Sequence, residues 1–220
     1  MSSFKEMLGL EFIKFAEENN LKKVQACLDL DVDVNTADED GHTAAHSAAL
    51  WGHGQVIRLL AATGQVDFNK VDNGDWTPLH WALTMRQYEV AVIIAKQENV
   101  NFSLRTPAGN TPANLAVVRQ IVPFVEILAK QENFNDWNIP DRDGFTPIMN
   151  SIRVGNSVIL KILLKCPRVD PNIKDGNGDS PVMLALKEEE FAMAKILIKC
   201  PKVNLGVKDR NRSSLQKIAR

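Results

Sequence analysis

Three cysteines in 220 residues, Cys27, Cys166 and Cys200, are too few and too scattered for a disulfide framework. No apolar run approaches the ~18 residues of a membrane-spanning helix, which excludes membrane insertion. The N-terminal stretch "MSSFKEMLGLEFIKFAEENN" lacks the continuous apolar core of a signal peptide. An intracellular location, cytoplasmic or nuclear, is the expectation. Net charge is only −1, so no overall field draws in nucleic acid or membrane. Nor is there a Gly-rich phosphate loop: no "GxxxxGK" occurs and the glycines are dispersed. What is present, 45% hydrophobic and 24% charged residues, is the composition of an ordered globular chain. The charge is unevenly placed. Residues 1–110 hold 9 Lys and Arg against 15 Asp and Glu, and residues 111–220 hold 17 against 12.

Three of the four histidines crowd into "GHTAAHSAALWGHG" (41–54), with His42 and His46 four apart. That is the spacing of two zinc ligands on one helical face. The stretch recurs, however, and recurrence settles its meaning. "DEDGHTAAHSAALWGHGQVIRLL" (38–60) aligns with "DNGDWTPLHWALTMRQYEVAVII" (72–94), "TPAGNTPANLAVVRQIVPFVEIL" (106–128), "DRDGFTPIMNSIRVGNSVILKIL" (141–163) and "DGNGDSPVMLALKEEEFAMAKIL" (175–197). A hydroxyl residue anchors each copy: Thr43, Thr77, Thr111, Thr146 and Ser180, at intervals of 34, 34, 35 and 34 residues. A partial first copy (11–28) fits with Glu11 in the anchor slot, and a last half copy begins near Asp209.

Each copy reads as turn, helix, turn, helix. Asp and Gly before the anchor supply turn chemistry. The Thr or Ser accepts a backbone N–H as the helix cap, and Pro78, Pro112, Pro147 and Pro181 occupy the first helical position with φ preset. Five residues after each anchor stands a small residue: Ala48, Ala82, Ala116, Ser151 or Ala185. The second helix carries an apolar pair, from Leu59/Leu60 to Ile196/Leu197. One such unit cannot bury its apolar face alone, so the units must stack.

The pattern "DxxGxTPLHxA" followed by an apolar helix resembles the ankyrin repeat, most closely at "DWTPLHWA" (75–82), and the resemblance covers nearly all of residues 11–220. It implies an all-α, ankyrin-type solenoid of helix-turn-helix units joined by hairpin loops. The whole of 1–220 then forms one domain, with repeats at about 6–37, 38–71, 72–105, 106–140, 141–174 and 175–208 and a partial one at 209–220. Asn35, Asn69, Asn138 and Asn172 fall where the family places a hairpin asparagine. Departures are local. Asp75 stands for the turn glycine, and Arg86 and Gln120 for the glycine between helices. In this register His42 precedes the helix, while His46 and His80 share a slot whose imidazole, the resemblance implies, bonds across the turn. The cluster reads as structural, with no metal and no cofactor. Cys166 and Cys200 occupy equivalent slots in stacked repeats and remain separate thiols. "KEEE" (187–190) reads as a solvated turn.

The function implied is non-enzymatic: a scaffold binding another protein or peptide on its concave face, as a monomer and with no small-molecule substrate. The slot before each anchor holds His42, Trp76, Asn110, Phe145 and Asp179, and variable positions follow at the end of the first helix. From these the candidate contacts are Trp51, Trp76 and Met85 as apolar anchors, with Arg119, Phe145 and Arg153 extending them. Trp and Arg dominate binding hot spots. A turn-tip Trp serves either a partner or a neighbouring turn, and for Trp51 and Trp76 the sequence leaves both open. Trp81 shares its slot with Leu115 and Leu184 and reads as semi-buried, whereas Trp137 is unassigned. Asn35, in "DVDVN", resembles the hairpin asparagines that some ankyrin proteins present to an asparaginyl hydroxylase. Two rival functions remain. The chain is the N-terminal, substrate-recruiting region of a longer enzyme or ligase subunit, ending as it does one helix into a repeat. Or it is a nucleic-acid-associated factor using Lys195, Lys199, Lys202, Lys208, Arg210, Arg212, Lys217 and Arg220; no aromatic lies among these eight to stack on bases.

Overall fold

Hydroxyl-proline pairs start most of the first helices, and turns that reverse the chain within two or three residues start the second ones. A computed structural model describes residues 4–132 and 134–206. Within these residues the helices are α1 (Phe4–Glu17), α2 (Leu21–Asp29), α3 (Ala44–Trp51), α4 (Gly54–Ala62), α5 (Pro78–Thr84), α6 (Tyr88–Ala95), α7 (Pro112–Val118), α8 (Val122–Lys130), α9 (Pro147–Arg153), α10 (Ser157–Lys165), α11 (Pro181–Lys187) and α12 (Phe191–Ile198). The expected half repeat at 209–220 lies outside the described residues.

The chain divides into two compact units, residues 1–107 and 108–220. In the first, α1 packs on α3 and α3 on α5, while α2 packs on α4 and α4 on α6. In the second, α7, α9 and α11 stack in the same manner, as do α8, α10 and α12. The small residues of the first helices permit this. Ala48 and Ala82 in the first unit, and Ala116, Ser151 and Ala185 in the second, are fully enclosed. Of each apolar pair on the second helices the later member, Leu60, Ile94, Leu128, Leu163 or Leu197, is fully buried. Each such side chain stabilises by about 1.5–3 kcal/mol.

The asparagine ladder joins successive hairpins. Asn35 Nδ2 donates to the Gln65 carbonyl at 2.9 Å, and its Oδ1 accepts from the Asp67 amide at 2.8 Å. Asn69 does the same toward Asn99 and Asn101, Asn138 toward Arg168 and Asp170, and Asn172 toward Lys202 and Asn204. A single amide thereby satisfies one donor and one acceptor of the next loop's backbone.

Two expectations need correction. Glu11 does not cap a helix: α1 begins at Phe4, seven residues earlier, so Glu11 lies mid-helix. The register itself holds, because Ala16 falls five residues on and is fully buried. Second, the anchor hydroxyl caps in only three of the five copies. Thr43, Thr77 and Thr111 accept the amide of the residue three on, whereas Thr146 and Ser180 make no such bond. His46, His80 or Asn114 stands at that third position in the capped copies; Met149 and Met183 stand there in the uncapped ones. In the two histidine copies the imidazole bonds back to the anchor, which a methionine thioether does not do.

The turn between the two helices of each repeat demands one residue with positive φ: Asn19, Gly52, Arg86, Gln120, Gly155 and Glu189 at 54°, 80°, 58°, 58°, 66° and 60°. Arg86, Gln120 and Glu189 therefore adopt the glycine conformation without being glycine, which strains the backbone by roughly 1–2 kcal/mol each. Glycine relieves that strain but gains about 0.5–1 kcal/mol of unfolded-state freedom. Arg86→Gly, Gln120→Gly and Glu189→Gly should each stabilise the fold by a net ~0.5–1 kcal/mol, read from urea midpoints. Midpoints that fall would show that the long side chains contribute contacts worth more than the strain.

Candidate functional site

An aspartate opens the turn five residues before the anchor, and its carboxylate shapes the tip. Asp38 Oδ1 accepts the amides of Asp40 and His42, Asp72 those of Gly74 and Trp76, Asp141 those of Asp143 and Phe145, and Asp175 those of Asn177 and Asp179. The tip closes because the same aspartate's amide donates to the carbonyl of the residue before the anchor, as Asp72 does to Trp76 at 2.9 Å. The variable slot is thus held from both sides, so its side chain has a fixed direction. This aspartate is a structural element that sequence reasoning took as generic turn chemistry; its recurrence at a constant offset was the available signal.

In the first unit the tip of the third repeat becomes an aromatic cluster. Trp76 lies 5.1 Å from Trp81, ring centroid to centroid, and meets His80 edge-on at 6.1 Å. Trp81 donates its indole N–H to Asp72 Oδ2 at 2.7 Å, and His42 Nε2 stands 3.3 Å from the same oxygen. His42 stacks on His46 at 5.8 Å and meets Trp81 edge-on at 5.9 Å. The histidine pair thus does face one another, through the turn rather than along a helix. Burial pushes the Asp72 carboxyl up, but the amides of Trp76 and Gly74, the Trp81 indole and nearby His46 outweigh it and hold it below the ordinary carboxylate range. Among the described residues no three His, Cys, Asp or Glu side chains converge as a metal-binding group.

His46 and His80 are buried and bonded. Thr43 donates its amide to His46 Nδ1 at 3.1 Å and faces it with its hydroxyl at 2.9 Å; Thr77 does the same to His80 at 3.2 and 3.0 Å. These donors assign Nδ1 as acceptor, so Nε2 carries the proton, and in His46 it donates to the Trp76 carbonyl at 3.0 Å. In the fourth repeat Asn114 substitutes for the imidazole and donates to the Ile139 carbonyl at 3.0 Å. His53 donates to the Glu17 carbonyl at 2.8 Å. These three imidazoles are turn hardware.

Trp51 and Met85, eight residues after their anchors in successive repeats, are 56% and 45% exposed. Trp76 is half-buried by the contacts above, and Trp81 is also half-buried. In the second unit Arg153 lies over the Phe145 ring, 4.3 Å from its centroid, with Nε 4.0 Å from Glu188 Oε1. Arg119 ends α7 and is exposed. The structure thus pairs Phe145 with Arg153 and leaves Trp51 and Met85 open. Trp137 is fully buried against Phe134, ring centroids 4.9 Å apart, and belongs to the core. Cys27, Cys166 and Cys200 are free thiols; burial, helped by Glu11, pushes Cys27 further from its reactive form. No described helix is long and apolar enough to cross a membrane. Of the eight terminal basic residues, Lys208, Arg210, Arg212, Lys217 and Arg220 lie outside the described residues.

Burial pulls the His46 and His80 pKa values from 6.5 down to about 4. The unfolded chain therefore takes up protons that the folded chain refuses. The stability these neutral imidazoles confer is whole above pH 6.5 and is lost as pH falls toward 4. The loss approaches roughly 3 kcal/mol per histidine. Urea midpoints should fall across that window, and His46→Asn, which copies the amide that Asn114 supplies in the fourth repeat, should flatten the fall. An unchanged pH slope in His46→Asn would refute the assignment.

Comparison with known proteins places these features. A family model of three ankyrin repeats matches residues 12–106, and a second ankyrin repeat model, of many copies, matches residues 131–185. Comparison with curated protein sequences returns no match. Among solved structures, the ankyrin repeat domain of Bcl-3, described as a unique member of the IkappaB protein family, superposes with a TM-score of 0.85 at 18% identity, over 95% of this chain and 93% of that one. The turn-opening aspartates, the capped first helices, the apolar second helices and the asparagine-linked hairpins are the parts of one repeated unit, and the chain belongs to the ankyrin repeat family.

Proposed function

We propose that the chain is a non-catalytic scaffold that binds another protein or peptide on the face built from turn tips and first helices, the concave face of an ankyrin array. In the first unit Trp51, Trp76 and Met85 are the contacts; in the second, Arg119, Phe145 and Arg153. The observation that carries this reading is the exposure of Trp51 and Met85 at equivalent positions of adjacent repeats. Stacking does not use either side chain, and a large exposed apolar residue adds nothing to the fold that a lysine would not. The binding surface is preformed, because the tips are locked by their own hydrogen bonds, which lowers the ordering cost of association. The scaffold acts as a monomer.

The test is Trp51→Ala/Met85→Ala. Both side chains are exposed, so thermal melting should match the wild type. A protein retained from lysate by the wild type should be lost, and its affinity once purified should drop roughly tenfold or more per anchor. Equal retention by both forms removes these residues from the site.

Asn35 is proposed as a hydroxylation site. Its amide is engaged at both ends, so a hydroxylase would act on an opened hairpin. A +16 Da species on the tryptic peptide spanning residues 24–58 is expected in cells, and its absence rejects the proposal.

A further inference from the structure

The same pair of slots holds a cation in the fifth and sixth repeats and none in the second, third and fourth, where the fourth has Asn110 with Val118. In the fifth repeat the residue before the anchor is Phe145, and the residue seven after the anchor, Arg153, turns back along α9 to lie over that ring. In the sixth the same slots hold Asp179 and Lys187, whose ammonium bonds both carboxylate oxygens at 2.6 and 2.8 Å. A helical side chain leans toward the N-terminus, which explains why this slot reaches the tip. Each of these two tips therefore receives a cation from its own repeat.

In the first unit the equivalent slots supply no such cation. They hold His42 with Leu50, and Trp76 with Thr84, which is too short to reach and carries no charge. The tips here are also acidic. Glu39, Asp40 and Asp75 are exposed, and their carboxylates make no side-chain hydrogen bond or ion pair among the described residues. No Lys or Arg occurs between Lys23 and Arg58 or between Lys70 and Arg86. Arg58 is held by Glu89 at 2.9 Å, and the Lys70 ammonium donates to the Asn35 carbonyl at 2.7 Å. Arg86 follows Met85 in the turn after α5.

Beneath this surface Asp72, buried and ionised, accepts the Trp81 indole N–H. A carboxylate on that edge polarises the ring and leaves its face more negative. Trp76, half-buried at the tip, lies against Trp81 with its ring tilted 33° to it. An indole face is the strongest aromatic seat for a cation, and the neighbouring carboxylates favour its approach.

We infer that the tips of the second and third repeats take a cationic segment of the partner protein, one bearing Arg or Lys, with a guanidinium or ammonium over Trp76 and its neighbours against Glu39, Asp40 and Asp75. This deepens the scaffold reading and rests on it. The partner supplies in trans what Arg153 and Lys187 supply within their own repeats.

A displayed library of random dodecapeptides, selected on the full chain, tests the inference. Recovered peptides should be rich in Lys and Arg, and the best of them, synthesised, should bind less tightly as salt rises. Glu39→Gln/Asp40→Asn/Asp75→Asn should weaken that peptide roughly tenfold. Thr84→Arg, which places a cation where Arg153 stands in the fifth repeat, should compete with it to a similar degree. Where Thr84→Arg fails to fold, the carboxylate variant, altered only at exposed side chains, carries the test. Neutral or acidic peptides that depend on Trp51 and on Trp76 (Trp51→Ala, Trp76→Leu) overturn the cationic inference while leaving the docking surface standing. Peptides that bind those variants as well as the wild type overturn both, and recovery of no peptide overturns the inference of a linear cationic segment.

Discussion

The turn-opening carboxylate is the interaction on which the rest of the tip depends. A turn of this length leaves two amides pointing inward without a backbone partner. Asp38, Asp72, Asp141 and Asp175 each satisfy both with one oxygen. The second oxygen can then do something different in each copy. In the third repeat it takes Trp81 and stands beside His42; in the fifth it takes Asn150, at 2.8 Å. One recurrent geometric device thus hosts a varied chemistry, and variation at the tip does not disturb the fold beneath it.

That separation explains how the protein can commit its interior to stacking and still present specific surfaces. Small residues bring first helices together, later members of the apolar pairs fill the space behind them, and asparagines join the hairpins. The small and apolar groups face inward, and the asparagine amides are engaged by the next hairpin. The outward positions differ from repeat to repeat. In the fifth and sixth, Arg153 and Lys187 cover or neutralise their own tips; in the second and third, half-buried Trp76 and the exposed Glu39, Asp40 and Asp75 receive no such cation. Net charge near zero conceals this arrangement, because the acidic excess falls in residues 1–107 and the basic excess in 108–220.

Much of this was legible in the sequence because the determinants of a repeat are local. The 34-residue period, the anchors, and Ala48 and its equivalents are visible as spacing, and the hairpin asparagines follow from the family resemblance; the structure encloses the small residues and joins the hairpins through the asparagines. The failures were also local in origin but needed a neighbour to reveal them. Thr146 and Ser180 look like Thr43, yet neither makes the cap bond. Arg86, Gln120 and Glu189 occupy a left-handed turn despite their side chains, because packing of the paired helices outweighs about 1–2 kcal/mol of backbone strain.

The sequence by itself determined the architecture: turn, capped helix, turn, apolar helix, repeated until each apolar face has a neighbour. Only the tertiary structure decided which outward side chains remain available. Phe145 and Trp76 stand in the same slot and read alike in the sequence. One is covered by an arginine eight residues on, at the end of the helix that follows it, and the other lies tilted against a second indole whose N–H is tied to a buried carboxylate. Periodicity assigns a residue to a face, but whether that face is already occupied depends on side-chain direction and reach across turns, which spacing does not encode.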